Sequence, residues 1–217
     1  MDRRDEQSLR TALVDTACAM ADSGLSPGKS GNVSARCGDG MLITPTGVPY
    51  ADLCPADIVF VDAAGRVAKD ALRPSSEWQF HLAIYAARSE VGAIVHCHSR
   101  HATALACARR EIPAFHYMVA VAGGDCIRCA PYATFGTEAL GAYAVAALRA
   151  RQACLLANHG QIALGPTPAK ALAMAAEVET LATQYCAALA IGGPVLLDAD
   201  EMARVIAKFR DYGQQRG

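Results

Sequence analysis

The chain has 217 residues, of which 53% are hydrophobic and 19% are charged, and its formal net charge at pH 7 is -1. This length suits one hydrophobic core rather than two independent domains. No basic run or basic helix face stands out, so neither nucleic acid nor an acidic membrane surface is expected as a partner. The low charged fraction indicates either heavy burial or surface covered by other subunits, which makes a homo-oligomer an expectation.

The N-terminal segment, MDRRDEQSLRTALVDTACAM, begins with charged residues and lacks the apolar stretch of a signal peptide. No later segment approaches the roughly eighteen uninterrupted apolar residues of a membrane span. We therefore expect a cytoplasmic protein. The nine cysteines lie in apolar contexts, which indicates reduced and mostly buried thiols. Cys126 and Cys129 form one C-x-x-C, but no second pair and no thioredoxin-like context supports a metal or redox function there.

Hydrophobic periodicity predicts helices alternating with short strands in the first half of the chain. Apolar residues at three-to-four spacing predict a helix over residues 5–22. MLITPTG and IVFVDAAGRV predict two short strands, and the second closes in a turn at Ala64-Gly65. The segment PSSEWQFHLAIYAAR predicts a helix that is capped by serine.

The second half continues the alternation. VGAIVHCH predicts a strand that leads into a helix from about Ser99 to Arg109, and residues 111–136 are rich in Gly and Pro, which predicts loop. A helix over Thr137 to Arg149 then leads to the strand ACLLANHG. A long helix begins in GPTPAKAL with Thr167 as its cap, and a final helix covers roughly Ala199 to Arg210. Together these elements predict one α/β domain with a sheet between helices.

Three of the six histidines lie within six positions, in GAIVHCHSRHATALA. Alternate side chains of a strand share a face, so His96 and His98 point the same way across a gap that one metal ion could bridge. Cys97 lies between them, should face away, and is expected to pack in the core. His101 belongs to the following helix and no longer shares that face. An isolated H-x-H pair is also compatible with ordinary packed histidines.

Two residues far away in the chain could complete a ligand set. His159 follows a strand and precedes a glycine in LLANHGQ, where a loop could project it into a cleft, although an ordinary turn histidine fits the same pattern. Glu77 lies at the start of the helix opened by PSSE, where the helix dipole alone explains an acidic residue. Taken together, three imidazoles and one carboxylate fit the ligand set of zinc.

Three loops could each face an anion. The start of the PSSE helix offers Ser75, Ser76 and unpaired backbone N–H groups. The loops KSGNVSAR and TPTGVP place short polar groups and backbone in turns that could face a phosphate, namely Gly31, Asn32, Thr46 and Gly47. Taken separately, these loops are also ordinary turns.

Seven segments occur in the order found in the class II aldolase/adducin family, which the chain resembles: GNVSAR, MLITPTGVPY, PSSEWQFH, VHCHSRH, PAFHYMVAVAGGD, APYATFGT and ANHGQIALG. The resemblance runs from about Leu9 to Gly213 and is strongest toward the members that cleave L-fuculose 1-phosphate. It implies a three-layer α/β/α fold with a mostly antiparallel central sheet, as a single domain over residues 1–217. It also implies a fourfold-symmetric homotetramer with sites between subunits.

The resemblance also implies roles for individual residues. His96, His98 and His159 would hold one zinc ion (Zn2+) per subunit, with Glu77 as a fourth ligand that swings away to become the acid/base. Tyr117 matches a tyrosine that reaches the aldehyde oxygen at a neighbouring subunit's site. The residues that match the phosphate site are Gly31, Asn32, Thr46, Gly47, Ser75 and Ser76. The residues that match the aldehyde pocket are Phe135 and Tyr212.

The implied reaction is the reversible cleavage of a ketose 1-phosphate to dihydroxyacetone phosphate and a short aldehyde. L-Fuculose 1-phosphate, giving L-lactaldehyde, is the first expected substrate, and 5-deoxyribulose 1-phosphate or 5-methylthioribulose 1-phosphate are alternatives that differ at the aldehyde end. The family also contains L-ribulose-5-phosphate 4-epimerase and adducin-like binding modules. Such modules tend to lack the histidine set, which is present here with Glu77. Lys29 precedes Gly31 in place of a small or uncharged residue and could add a positive charge near the phosphate.

Overall fold

The strands of the chain pair into one seven-stranded sheet. The structure, a computed structural model, describes residues 3–26 and 30–210. The strands are β1 (Asn32–Cys37), β2 (Gly40–Ile43), β3 (Val59–Val61), β4 (Ala93–Cys97), β5 (Cys129–Ala130), β6 (Ala153–Leu156) and β7 (Gly160–Gly165). Their order is β3-β2-β1-β4-β7-β6-β5, and every pairing except β5 with β6 is antiparallel. The prediction of a mostly antiparallel central sheet is confirmed.

Helices cover both faces of this sheet. They are α1 (Arg3–Asp22), α2 (Trp78–Ala87), α3 (Arg100–Cys107), α4 (Glu138–Ala147), α5 (Pro168–Ala190) and α6 (Ala199–Arg210). One face packs against α2 and α4 through a core that includes Phe80 and Leu140. The other face packs against α1 and α5, with α3 beside α5 and α6 against a 3-10 helix over Tyr117–Ala122. This arrangement confirms the expected three-layer α/β/α domain. No helix in the described part of the chain is long and apolar enough to span a membrane.

Strand β4 lies at the centre of the sheet and is buried along its whole length. Ile94 packs with the α2 and α4 side, and His96 shares that face because side chains alternate along a strand. Val95 and Cys97 pack with the α1 and α5 side, so Cys97 points away from His96, as predicted. Burial raises the pKa of the Cys97 thiol to about 12, which keeps it protonated. All nine cysteines are free thiols.

Two predictions of secondary structure were wrong, and one strand was not predicted. The segment GNVSAR is not a turn, because Asn32–Cys37 forms β1 between β2 and β4. The QIALG segment after His159 was not predicted and forms β7. Residues 111–136 are not entirely loop, since they contain a 3-10 helix over Tyr117–Ala122 and the short strand β5.

The start of α2 also differs from its prediction. The helix begins at Trp78, and Glu77 occupies the N-cap position without capping the helix through its side chain. The serines therefore precede the helix, and Ser75 Oγ instead accepts a hydrogen bond of 3.4 Å from the backbone N–H of Glu77. The predicted cap of α5 is confirmed, because Thr167 Oγ1 accepts a hydrogen bond from the Lys170 N–H at 3.3 Å.

Candidate active site

Three imidazoles converge at the end of the central strands. His96 lies on β4, His98 follows directly after it, and His159 ends the turn between β6 and β7. Their ring centroids are 4.9, 4.8 and 5.0 Å apart, and the candidate ligand atoms all lie within 4.8 Å of one another. His96 Nε2 and His98 Nε2 are 3.0 Å apart. The structure thus brings together the three histidines that the sequence suggested as ligands.

The hairpin that carries His159 depends on two backbone features. Asn158 has a left-handed backbone with φ 55°, a conformation that asparagine tolerates better than most residues. At Gly160, an added Cβ would lie 2.5 Å from the Cys97 carbonyl oxygen and 2.8 Å from His98 Cδ2. Glycine at position 160 therefore lets β7 approach the end of β4 closely enough for His98 and His159 to meet.

Replacing Gly160 with alanine is expected to displace His98 and, if the three histidines hold a metal ion, to weaken its binding by about 10-fold or more, the usual scale for changes beside metal ligands. Competition with a chromogenic chelator measures this affinity. The matched control is Gly141→Ala on α4, where the new methyl group would meet Ala83 Cβ at 3.3 Å and Phe80 Cα at 3.5 Å rather than a histidine. Equal metal affinity in the Gly160 variant and the wild type would contradict the role given to this glycine.

Glu77 faces the imidazoles from the start of α2. Its side chain is buried, with Oε2 3.2 Å from His96 Nε2 and Oε1 3.1 Å from His159 Nε2. Asn32 Nδ2 donates a hydrogen bond of 3.0 Å to Oε2, whereas Oε1 receives no hydrogen bond from any described residue. A buried carboxylate oxygen without a donor, facing imidazole nitrogens, fits a metal ion that these four side chains would hold.

The protonation states of the site suit metal binding. Burial alone would raise the pKa of Glu77, but the imidazoles of His96 and His159 outweigh burial and lower it below its usual value. Burial, together with the neighbouring histidines, lowers the pKa of His98 to about 4, so this imidazole is neutral near pH 7. His96 Nδ1 lies 2.8 Å from the Gln161 carbonyl oxygen, an acceptor, which leaves Nε2 as the ligand atom.

The site opens into a cavity of about 360 Å³. The lining includes the following residues that the sequence suggested: Gly31, Asn32, Thr46, Gly47, Ser75, Ser76, Glu77, His98, Phe135 and His159. His96 is fully buried beneath it. No lysine or arginine from the described ranges lines the cavity, so its polar groups there are hydroxyls, amides, imidazoles and one carboxylate.

Backbone contacts hold the loops of this cavity together. The Thr46 N–H donates to the Arg73 carbonyl, and the Ser75 N–H donates to the Thr44 carbonyl, each at 3.0 Å. At Gly31, φ is +89°, and an added Cβ would lie 2.7 Å from the His96 carbonyl oxygen. The loop before β1 can therefore approach β4 only with glycine at this position.

Several residues considered at the sequence level lie elsewhere. Tyr117 is half exposed and lines a separate groove with α6, where its ring stacks against His116 and lies 6.5 Å from that of Phe209. His101 is not with the other histidines, since its Nδ1 is 2.9 Å from Glu179 Oε1. Tyr212 and Lys29 lie outside the described residues.

Sequence reasoning assigned no site role to five of the described residues that line the cavity, among them Tyr132 and Asn158, which carry polar side chains. Asn158 directly precedes His159 in the turn, so an asparagine before H-G could have indicated a left-handed turn position. Tyr132 lies in APYATFGT, three residues before Phe135, and nothing in its local pattern distinguishes it from a surface tyrosine.

Similarity to known proteins agrees with this geometry. The family model described as Class II Aldolase and Adducin N-terminal domain matches residues 11–186. The chain is 53% identical over 206 residues to a 5-methylthioribulose-1-phosphate/5-deoxyribulose-1-phosphate aldolase of Rhodospirillum rubrum, covering 95% of this chain and 93% of the relative. It is 49% identical over 210 residues to an L-fuculose phosphate aldolase of Escherichia coli K12, covering 96% and 97% respectively.

A solved structure shows the same fold. An L-fuculose 1-phosphate aldolase superposes with a TM-score of 0.90 at 39% sequence identity, covering 94% of this chain and 96% of that one. The family match spans most of the chain, and both relatives are aldolases that align over nearly their whole length. The chain therefore belongs to the class II aldolase and adducin family, and it is one of the family's aldolases.

Proposed function

We propose that this aldolase binds one zinc ion through His96, His98 and His159, with Glu77 as the fourth ligand, and cleaves a ketose 1-phosphate to dihydroxyacetone phosphate and a short aldehyde. The observation that carries the proposal is the convergence of these side chains on one cavity with glycine and serine loops. When bound, the metal supplies a Lewis acid for the negative charge that develops on the substrate oxygens.

The phosphate of the substrate would lie at the loop side of the cavity. Hydroxyl groups near the N-terminus of α2 favour an anion there, and the helix dipole is positive at that end. The residues proposed to contact the phosphate are Gly31, Asn32, Thr46, Gly47, Ser75 and Ser76. The side chain of Asn32 is already bonded to Glu77, so it has one remaining Nδ2 hydrogen for this purpose.

Glu77 is proposed to move the proton at C3. When the C3–C4 bond breaks, its electron pair stays on the dihydroxyacetone phosphate half, and the Glu77 carboxyl group, which first takes up a proton from solvent, delivers that proton to C3. Oε1 is the oxygen available for this transfer, because Asn32 holds Oε2. The C4 hydroxyl loses its proton as the aldehyde forms, and we assign its transfer to Tyr117 of a neighbouring subunit in a homotetramer, whose phenol oxygen takes up this proton while the phenol gives its own proton to solvent. Tyr117 is 51% exposed in the single chain, so its side chain is accessible to a neighbouring subunit, which supports this assignment.

The aldehyde end of the substrate would face an aromatic rim. Tyr132 and Phe135 line the cavity, and their side chains are 53% and 64% exposed in the single chain. We place Tyr212 at the same end. Such a rim suits an apolar methyl or methylthio group better than a charged one, which agrees with the proposed substrates. The cytoplasm is the proposed compartment, because nine free thiols suit a reducing environment.

L-Fuculose 1-phosphate is the first candidate substrate, and the 53% identity to the Rhodospirillum rubrum enzyme favours 5-methylthioribulose 1-phosphate or 5-deoxyribulose 1-phosphate as a second candidate. The three sugars share the dihydroxyacetone phosphate half and differ only in the aldehyde.

A coupled assay for dihydroxyacetone phosphate, with zinc-loaded protein and each ketose 1-phosphate in turn, is expected to show cleavage of at least one of these substrates. The ratio of their kcat/KM values identifies the aldehyde that the enzyme prefers. L-Ribulose 5-phosphate is the control. If it is epimerised and no ketose 1-phosphate is cleaved, the proposed function is wrong.

A further inference from the structure

A buried row of polar side chains begins at Glu77 and leads away from the cavity. Asn32 Oδ1 lies 2.5 Å from His81 Nε2, His81 Nδ1 lies 2.7 Å from Ser34 Oγ, and Ser34 Oγ lies 2.9 Å from the Tyr85 hydroxyl. All four side chains are at most 4% exposed. We call these residues, Asn32, His81, Ser34 and Tyr85, the polar row.

The row follows from the periods of its two elements. Asn32 and Ser34 are alternate residues of β1 and share one face of the sheet. His81 and Tyr85 are four residues apart on α2 and share one face of that helix. Side chains of the two pairs alternate along the row, because each residue of β1 forms a hydrogen bond with a residue of α2. Phenylalanine and valine would fit such positions without any polar atoms to satisfy, so packing alone does not explain why they are polar.

The direction of each hydrogen bond in the row can be inferred by starting from Glu77. An ionised carboxylate can only accept, so Asn32 must present Nδ2 to Glu77 and Oδ1 to His81. His81 Nε2 must then carry a proton. The neutral imidazole accepts at Nδ1 from the Ser34 hydroxyl, which in turn accepts from the Tyr85 hydroxyl. Burial lowers the pKa of His81 and raises the pKa of Tyr85, which agrees with a neutral imidazole and a protonated hydroxyl.

We propose that His81 is a positioning residue for the Glu77 carboxylate, because its Nε2–H fixes the orientation of the Asn32 amide. Without this donor, the amide can turn over and present Oδ1 to Glu77 Oε2, where two acceptors repel each other. With the His81 donor in place, Asn32 Nδ2 keeps its hydrogen bond to Glu77 Oε2, and Glu77 Oε1 faces the three histidines. The inference rests on the proposed function of Glu77 and goes beyond it by assigning a role to a residue that does not touch the cavity.

Two substitutions of His81 separate this role from a structural one. In His81→Gln, the amide nitrogen reaches the place of Nε2 and can still donate to Asn32. In His81→Asn, the shorter amide reaches only the place of Nδ1. We expect His81→Asn to lower kcat by about 10- to 100-fold with little change in KM, the scale found for residues behind a metal site, and His81→Gln to keep most of the wild-type kcat. Ile84→Val, a fully buried change one turn along α2, is the stability control and should leave kcat unchanged.

Two measurements accompany the kinetics. Zinc affinity from chelator competition should stay close to wild type in His81→Asn, because the three imidazoles are intact. Nitrogen-15 NMR of the zinc-loaded wild type, labelled at histidine, should show His81 protonated at Nε2 and not at Nδ1. Equal kcat in the Asn and Gln variants, a loss of zinc affinity that parallels the loss of kcat, or an Nδ1–H tautomer would each overturn the proposal. If the wild type cleaves no ketose 1-phosphate, the proposed function fails, and the tautomer still decides the orientation of the row.

Discussion

Replacing Glu77 with glutamine is expected to lower kcat for cleavage of the preferred ketose 1-phosphate by about 10²-fold or more, the usual contribution of a general acid–base residue. Glutamine has nearly the same shape, so Ser75, Ser76 and the phosphate loops should stay in place and KM should change little. The amide cannot carry the proton that C3 requires. Steady-state kinetics of zinc-loaded protein, with the metal content measured on the same sample, gives both parameters.

The matched control for this variant is Glu179→Gln. Glu179 is also a carboxylate paired with a histidine, with Oε1 2.9 Å from His101 Nδ1, but it belongs to α5 and does not line the cavity. The substitution should cost about 1 kcal/mol of folding free energy through weakened hydrogen bonds and leave kcat close to wild type. Near-normal turnover in Glu77→Gln, with zinc bound, would rule out Glu77 as the acid/base.

The convergence of the three histidines could be predicted in part from sequence, because two of them depend on strand geometry. The two-residue period of β4 placed His96 and His98 on one side and Cys97 on the other. His159 follows a strand directly, at a turn. Spacing could not show that the ends of β4 and β7 meet, because pairing between distant strands is a property of the whole sheet. The family resemblance supplied that step.

The errors of prediction come from polar residues with buried partners. Strand β1 was missed because Asn32 and Ser34 look like turn residues, yet both are buried and bonded to His81. Their partners lie on α2, almost fifty positions away, so no local pattern could reveal them. The prediction that a serine caps α2 was wrong for a related reason. Ser75 is held by the Thr44 carbonyl through its own backbone N–H, and this tie to the neighbouring loop places it outside the helix.

Removal of the proposed metal ion is the second change that we expect to have a large effect on activity. Removing it with a chelator is expected to lower aldolase activity by about 10³-fold or more, since charge stabilisation by a metal ion contributes several kcal/mol. Treatment with borohydride in the presence of substrate should leave activity unchanged. No lysine from the described ranges lines the cavity, so no described amine is available to form a Schiff base with the substrate carbonyl.

The metal-free protein should nevertheless stay folded, which makes the loss of activity interpretable. His96 is anchored by the Gln161 carbonyl, and Glu77 is anchored by Asn32, so both ligands keep partners when the ion is absent. We expect an unchanged circular dichroism spectrum, a lower Tm because the ion binds only the folded state, and full recovery of activity on adding zinc. The control is a chelator already saturated with zinc, which should have no effect. Full activity in protein shown to be free of metal would contradict the assignment of His96, His98 and His159 as essential ligands.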